Sequence, residues 1–473
     1  MVEILRRKKP LSVNPLKASQ PVGGSLATLG FQGAIPMLHG SQGCTAFAKT
    51  YFVRHFREPI PLQSSAMDQV SSVMGADDNV VEGVKIIAEK NRPKLITVMT
   101  TGLAETQGAD IKRCVARFRE VYPNFEDVAV VGVHTPDFSG CAESGFALTV
   151  HEIIKELVPE SRVAGTRQRQ VNVLAGPFMT PGDVEALRDI IEMFGLRPVF
   201  VPDLAESLDG HLDDAEFNPL STGGTPISEL SCLGEAAATL AIGAAMHPAG
   251  RTLAEKTEVP VYYLDHLYGI KATDELLVAL AEISGNEVPE RLEHHRAQLQ
   301  DAMLDTHFML GQLRVAVAAD PDLLHAFTSL LHEMGAEVVA AVVPAGAPVL
   351  ERLPIGIVQI GDLEDLEKLA RENRAEMVVG NSHAVQTAER LGVPILRTGF
   401  PLYDIVGGYQ QTRIGYRGAR QTLFDLANLA LALTHHEVPM YRSIYGQKPA
   451  EEATLYPTEK THGHHHAPHA HLV

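Results

Sequence analysis

The chain has 473 residues, 45% of them hydrophobic, and a formal net charge of -18. That length accommodates roughly three domains with sizeable cores. The acidity argues against a nucleic-acid groove or an anionic membrane surface as partner, and no apolar run approaches the roughly 20 residues of a membrane span.

At the start, Arg6-Arg7-Lys8-Lys9 has no apolar stretch behind it, so residues 1–10 do not read as a signal peptide. The first stretch with chemistry in it is His39-Gly40-Ser41-Gln42-Gly43-Cys44. Gly40 and Gly43 permit a tight turn. A helical pattern over 45–56 follows and stops ahead of Pro59. Cys44 is thus expected at a helix N-terminus, where the dipole favours a negatively charged sulfur, a nucleophile and metal ligand. A small buried cysteine closing a turn fits the same stretch equally well. The other cysteines, Cys114, Cys141 and Cys232, are far apart, with no Cys-x-x-Cys pair, which fits a reduced cytosolic protein. Each reads as a small hydrophobe.

From Lys94 onward short apolar runs alternate with helical patterns. Strands are expected over 94–99, ending in Thr100-Thr101-Gly102, and 127–133, ending in His134-Thr135-Pro136, with a helix over 110–122 between them. Continuous apolar strands separated by helices mean a parallel sheet covered on both faces. A polar stretch over 161–170 resets the pattern. Strands over 170–174 and 197–201 flank a helix over 183–194; a helix over 227–240 and a strand over 261–264 complete a second unit. A charged helix over 290–309 reads as a connector. A third unit has strands over 312–318, 337–343, 355–360, 377–379 and 393–396, and a helix over 416–433. The fold class is therefore α/β, with three parallel-sheet domains expected at 1–165, 166–305 and 306–455. Residues 456–473 form a tail with six histidines over 462–471. Such a tail suits disorder and binds nickel, zinc or copper when neutral.

Other candidates carry two readings each. His39 either donates near a site at Cys44 or braces its turn. Arg54, His55 and Arg57 form a basic cluster that balances a buried negative charge, pairs with a partner's carboxylates, or is simply solvated. Thr222-Gly223-Gly224 ahead of a helix could bind an anion, though paired glycines are weak evidence. Asn381-Ser382-His383 follows a strand end, where α/β proteins place ligands and where turn caps also occur. There is no Gly-x-x-x-x-Gly-Lys loop and no Ser–His–Asp arrangement.

Several segments together carry a resemblance: Asn14 to Gln20, His39 to Cys44, Val53 to Pro59, Met67 to Val70, Thr100 to Gly102, His134 to Gly140, Leu299 to Asp305, Gly380 to His383 and Gly399 to Pro401. The chain resembles the nitrogenase component 1 family, and within it the scaffold branch that matures the iron–molybdenum cofactor. The resemblance implies three α/β domains and a heterotetramer with the homologous partner NifE. It implies a 4Fe-4S cluster shared at that interface, with Cys44 as this chain's ligand and the remaining cysteines from the partner. It further implies an iron–molybdenum cofactor precursor held transiently on the complex, and brief contacts with the nitrogenase iron protein and cofactor-delivery proteins. The similar catalytic β-subunit holds a larger P-cluster, with cysteines matching Ser19, Cys44 and Gly102 and a serine matching Asp137. Only Cys44 keeps its thiol here, and iron–sulfur clusters rest on cysteine thiolates. That favours a non-catalytic scaffold subunit over the alternative, a β-type redox subunit of a nitrogenase-like reductase. A sugar- or nucleotide-binding enzyme would call for a phosphate loop that the sequence lacks.

Overall fold

The structure, a computed structural model, describes residues 2–6, 9, 11–212 and 218–434. The histidine-rich stretch expected at 456–473 lies outside the described residues. Among the described residues, fourteen strands build three sheets. The first sheet runs β3 (Gln63–Ser64), β2 (Ala34–His39), β4 (Leu95–Thr100), β5 (Ala129–Val133). The second runs β7 (Arg197–Phe200), β6 (Arg167–Leu174), β8 (Ala236–Ile242), β9 (Val261–Leu264). The third runs β1 (Glu3–Arg6), β12 (Ile357–Ile360), β11 (Glu337–Val343), β10 (Arg314–Ala318), β13 (Met377–Gly380), β14 (Ile395–Arg397). Every pairing is parallel, as continuous apolar strands with helical crossovers require.

Two expectations are corrected. The stretch 227–240 is not one helix: a 3-10 helix, Ile227–Glu235, gives way to β8, an inner strand of the second sheet. Alanine-rich AAATLAI favours helix by intrinsic propensity, but burial between β6 and β9 overrides it. Small side chains suit a strand covered on both faces. The N-terminal residues Glu3–Arg6 pair with β12 of the third sheet, so this strand does not belong with the first unit, where the 1–165 boundary would place it. An edge strand of four residues carries too little pattern to assign from sequence.

The second and third sheets share one core: Val171, Val173 and Leu240 cluster with Val315, Val317 and Leu330. The first sheet is packed on one face by α1 (Gln20–Leu29) and the helix Ala142–Leu157. These two helices touch backbone to backbone. A Cβ on Gly23 would fall 1.8 Å from Ala142 O, and one on Gly145 2.0 Å from Gln20 O. Only glycine fits at either position.

Register then sets the site. His39 lies opposite Thr100 across β2 and β4. The turns leaving β2, β3, β4 and β5 therefore open at one carboxyl edge, where parallel α/β sheets place their ligands.

Candidate metal centre at the edge of the first sheet

Cys44 is the third residue of α2 (Gln42–Phe56), which starts earlier than the sequence pattern suggests. Ser41 stands at the N-cap without a side-chain cap bond. The free N–H groups of this first turn face the same way as the cysteine. The Cys44 sulfur is exposed and touches Ser41 Oγ at 3.5 Å. The reading of a small buried cysteine is thereby excluded.

The turn beneath it is rigid. Gly40 N–H donates to Ser65 Oγ at 3.1 Å and Gly40 O accepts from Met67 N at 2.9 Å. A Cβ on Gly40 would fall 2.3 Å from Thr101 Oγ1, so close packing demands glycine. Thr101 donates to His39 O through both N–H and Oγ1, at 3.1 and 3.0 Å. His39 is fully buried, its Nδ1 2.9 Å from Ser65 Oγ, and burial drives its pKa down to about 4. The geometry shows the bracing role: a neutral imidazole ties the β2 end to the β3 turn.

The three other positions matching P-cluster ligands sit on neighbouring turns. Ser19 precedes α1 as its N-cap. Gly102 N–H donates to Asp137 Oδ2 at 2.8 Å, and Lys17 Nζ donates to Asp137 O at 2.7 Å. A Cβ on Gly102 would stand 3.4 Å from the Asp137 carboxyl. Asp137 thus occupies the space in front of Gly102 and is committed to a backbone bond.

The expected basic cluster after Cys44 does not form. His55 is buried between Phe56 and Phe400, accepts from Leu402 N at 2.8 Å, and is held neutral, its pKa lowered to about 4 by burial. Arg54 stacks on the Tyr403 ring at 4.2 Å. Arg57 caps the helix in the left-handed region. His55 and Arg54 fasten α2 to the loop 399–405.

The remaining candidates are structural. Thr225 N–H donates to Gly30 O, and a Cβ on Gly223 would fall 2.1 Å from Glu206 O, so the glycine pair knits its loop to the end of α1. Asn381 caps through His383 N at 3.0 Å and donates to Phe400 O at 2.9 Å, while Ser382 Oγ binds Asp404 and accepts from Tyr403 N. Cys114 is buried in the helix Ile111–Val121, and burial pushes its thiol up to about 12. Cys141 is buried at a helix start, its thiol pushed well above the ordinary range by burial and by Asp320. Cys232 packs 3.3 Å from the Arg167 guanidinium.

One feature was missed in the sequence. The four turns of this edge carry exposed apolar side chains: Phe47, Val70, Val73, Met74, Leu103 and Phe138, with Val73 and Met74 82 and 81% exposed. The signal was present as apolar residues inside turn-like stretches such as Ser71-Ser72-Val73-Met74-Gly75. Exposed apolar side chains concentrated around one thiol mark an interface.

A four-iron cluster needs more than one thiolate. Among the described residues no group of three or more His, Cys, Asp or Glu gathers as a metal site. Cys44 fits the part of a single ligand, with an apolar rim on which another chain can seat. Among the described residues no helix is long and apolar enough to cross a membrane.

Comparison with known proteins bears on the family and the fold. The family profile nitrogenase component 1 type oxidoreductase matches residues 19–431. The chain is 44% identical over 449 residues to a protein of Klebsiella pneumoniae named nitrogenase iron-molybdenum cofactor biosynthesis protein NifN, covering 95% of this chain and 97% of that one. It is 45% identical over 421 residues to the protein of the same name from Nostoc sp., covering 89% and 94%. A solved structure described as nitrogenase Cp1 at pH 6.5 matches with a TM-score of 0.85 at 30% identity, over 92% of this chain and 96% of that one. A second, described as nitrogenase Cp1 at pH 5, has a TM-score of 0.68 at 14% identity and shows the fold alone.

Proposed function

Because the chain belongs to the nitrogenase component 1 type oxidoreductase family, we propose that it is a non-catalytic subunit of the scaffold on which the iron–molybdenum cofactor of nitrogenase is matured. In this reading it pairs with NifE in a heterotetramer. Cys44 supplies this chain's thiolate to a 4Fe-4S cluster at their interface, and the complex holds the cofactor precursor transiently. When bound, the cluster would supply a one-electron redox centre at the interface. The role of this chain is to aim one sulfur from a rigid glycine turn and to bury it under an apolar seal. The relatives' names, cofactor biosynthesis proteins, support the reading.

The observation that carries it is the ligand arithmetic at the edge of the first sheet. Cys44 is exposed there, while Ser19, Gly102 and Asp137 stand without thiols and Asp137 is bonded to Gly102. A β-type redox subunit holding a P-cluster would need thiolates at positions 19 and 102.

Anaerobic preparations tell the readings apart. Iron and acid-labile sulfide are measured on the chain alone and on its complex with NifE. The expected result is little of either in the free chain, and about four of each per subunit pair at the interface, as the cluster's composition dictates. In the complex, Cys44→Ala should lose that iron or shift its electron paramagnetic resonance signal, while Cys114→Ala and Cys232→Ala should not. Full iron and sulfide content in the free chain, or an unchanged signal in Cys44→Ala, would overturn the proposal.

A further inference from the structure

A groove of about 410 Å³ opens far along the chain from Cys44, where the helices Pro181–Met193, Glu290–Leu310 and Gly415–Thr434 meet. Arg291 and His295 reach it from the first turns of one helix, and Arg417 and Arg420 from the first turns of another. Both helices therefore point their positive ends toward the same space. In a chain of net charge -18 this is a local inversion of sign.

The cations here are unevenly used. Arg420 donates to Gln298 Oε1 at 2.5 Å, a bond that ties the two helices together and fixes the width of the groove. Arg296, on the same helix, is fully engaged: it forms a two-point pair with Asp274 at 2.8 to 3.2 Å, and Tyr416 also bonds Asp274. Arg291 and Arg417, by contrast, line the groove with no side-chain hydrogen bond or ion pair among the described residues. Glu185 and Asp189 stand on the facing helix, exposed, and neither pairs with them. The imidazole of His295 lies in the same field. Its pKa is held below the ordinary value, first by burial and then by Arg417, Arg291 and Arg420.

Two unengaged guanidiniums, on helices already joined through Arg420 and Gln298, flank the groove from two sides. Guanidinium binds carboxylate and phosphate oxygens in pairs of parallel hydrogen bonds. We propose that this groove is a binding site for a small oxyanion, a carboxylate or phosphate group seated between Arg291 and Arg417 with His295 behind it. The carboxylates of Glu185 and Asp189 limit the ligand to one compact anionic end, because a second anionic group on that side would meet like charge. The site is independent of Cys44 and of any cluster.

Calorimetric titration of the full-length chain with inorganic phosphate and, separately, with acetate at low ionic strength tests this. One saturable site is expected for at least one probe, and the stronger of the two shows whether phosphate or carboxylate is preferred. Arg291→Gln and Arg417→Gln should each weaken that binding tenfold or more. Asp189→Asn should tighten it. Lys368→Gln, an exposed cation away from the groove, should leave it unchanged. Circular dichroism checks that the variants fold; these side chains are exposed and no folding loss is expected. Absence of saturable binding by both probes, or binding that ignores the two arginine variants, would overturn the site.

Discussion

Two helices on the first sheet begin beside a cysteine, and the two sulfurs have opposite surroundings. Cys44 is the third residue of α2, just after β2; Cys141 is the N-cap of Ala142–Leu157, after β5. Both sulfurs stand where helix dipoles favour negative charge. Yet Cys44 is exposed with Ser41 at its side, while Cys141 is 1% exposed and lies beside Asp320 and Glu143. A helix start gives a sulfur direction, and what stands in front of it decides its use. In front of Cys141 stands the protein itself, with the third unit's Asp320 and Asp322 packed against Glu143. In front of Cys44 stands an open rim of apolar side chains.

The comparison breaks most sharply at glycines. Gly145, one turn after Cys141, has its Cα pressed on the backbone of Gln20, whereas Gly43, next to Cys44, has nothing nearer a built Cβ than Ser41 Oγ at 4.0 Å. Gly145→Val is expected to cost about 3 kcal/mol or more, because backbone cannot yield as a side chain can. Gly43→Ala should be neutral or stabilising by up to about 1 kcal/mol, since alanine is the better helix former. Urea midpoints of the two variants measure both. Equal midpoints would show that the Cys141 end is no tighter than the Cys44 end.

A smaller effect separates the two regions by pH. Asp322 is buried, with its pKa raised to about 7, and Asp320 is raised to about 6; desolvation is the main cause in both. Asp322 Oδ2 accepts from Ala245 N at 3.0 Å, but Oδ1 has no partner. The folded state holds these protons more tightly than the unfolded chain does. The folded chain therefore loses stability as pH rises from about 4, the ordinary carboxylate value, to about 7, and the loss is complete above that. Asp322→Asn keeps the acceptor for Ala245 and removes the charge. It should flatten that decline and raise stability at pH 8 by roughly 1–3 kcal/mol, the scale of an unsatisfied buried polar group. Melting temperatures of both proteins between pH 5 and 8 are the check; parallel curves would mean that Asp322 is not the group that titrates.

The sequence made the fold class legible because parallel strands are continuous apolar runs. Glu337–Val343 and Val261–Leu264 were placed at their observed bounds, and Ala129–Val133 within two residues. It failed at β8, where alanine propensity and burial point to different structures, and at β1, where four residues carry no period. At the site, the glycine turn pointed to Cys44 and to a helix start. Neither the neutrality of His55 nor the stacking of Arg54 could be read, because both depend on Phe400, Leu402 and Tyr403, some 350 residues away in the chain. The apolar rim was equally hidden, since it assembles from four turns that only the register of β2, β3, β4 and β5 brings together.

The smallest expected effect concerns the cysteines directly and reverses between two states of the protein. In the free chain, Cys141→Ala should cost about 1 kcal/mol for the packing lost with a buried sulfur. Two of the bonds that start this helix survive, because Cys141 N–H donates to Ser144 Oγ and Ser144 Oγ donates to Cys141 O, both at 2.9 Å; the capping contact from Ser144 N–H to the sulfur is lost with the thiol. Cys44→Ala should change the free chain by less than about 0.5 kcal/mol, as surface substitutions do. In the complex with NifE the order inverts. Cys141→Ala should leave iron content and the electron paramagnetic resonance signal untouched, because its sulfur faces Asp320 and Glu143 rather than solvent or a partner. Cys44→Ala should alter both. The paired measurement, urea midpoint of the free chain and iron content of the complex, tests exposure as the deciding variable. A Cys141→Ala complex that lost iron would place the cluster ligand at the buried helix start and undo the comparison.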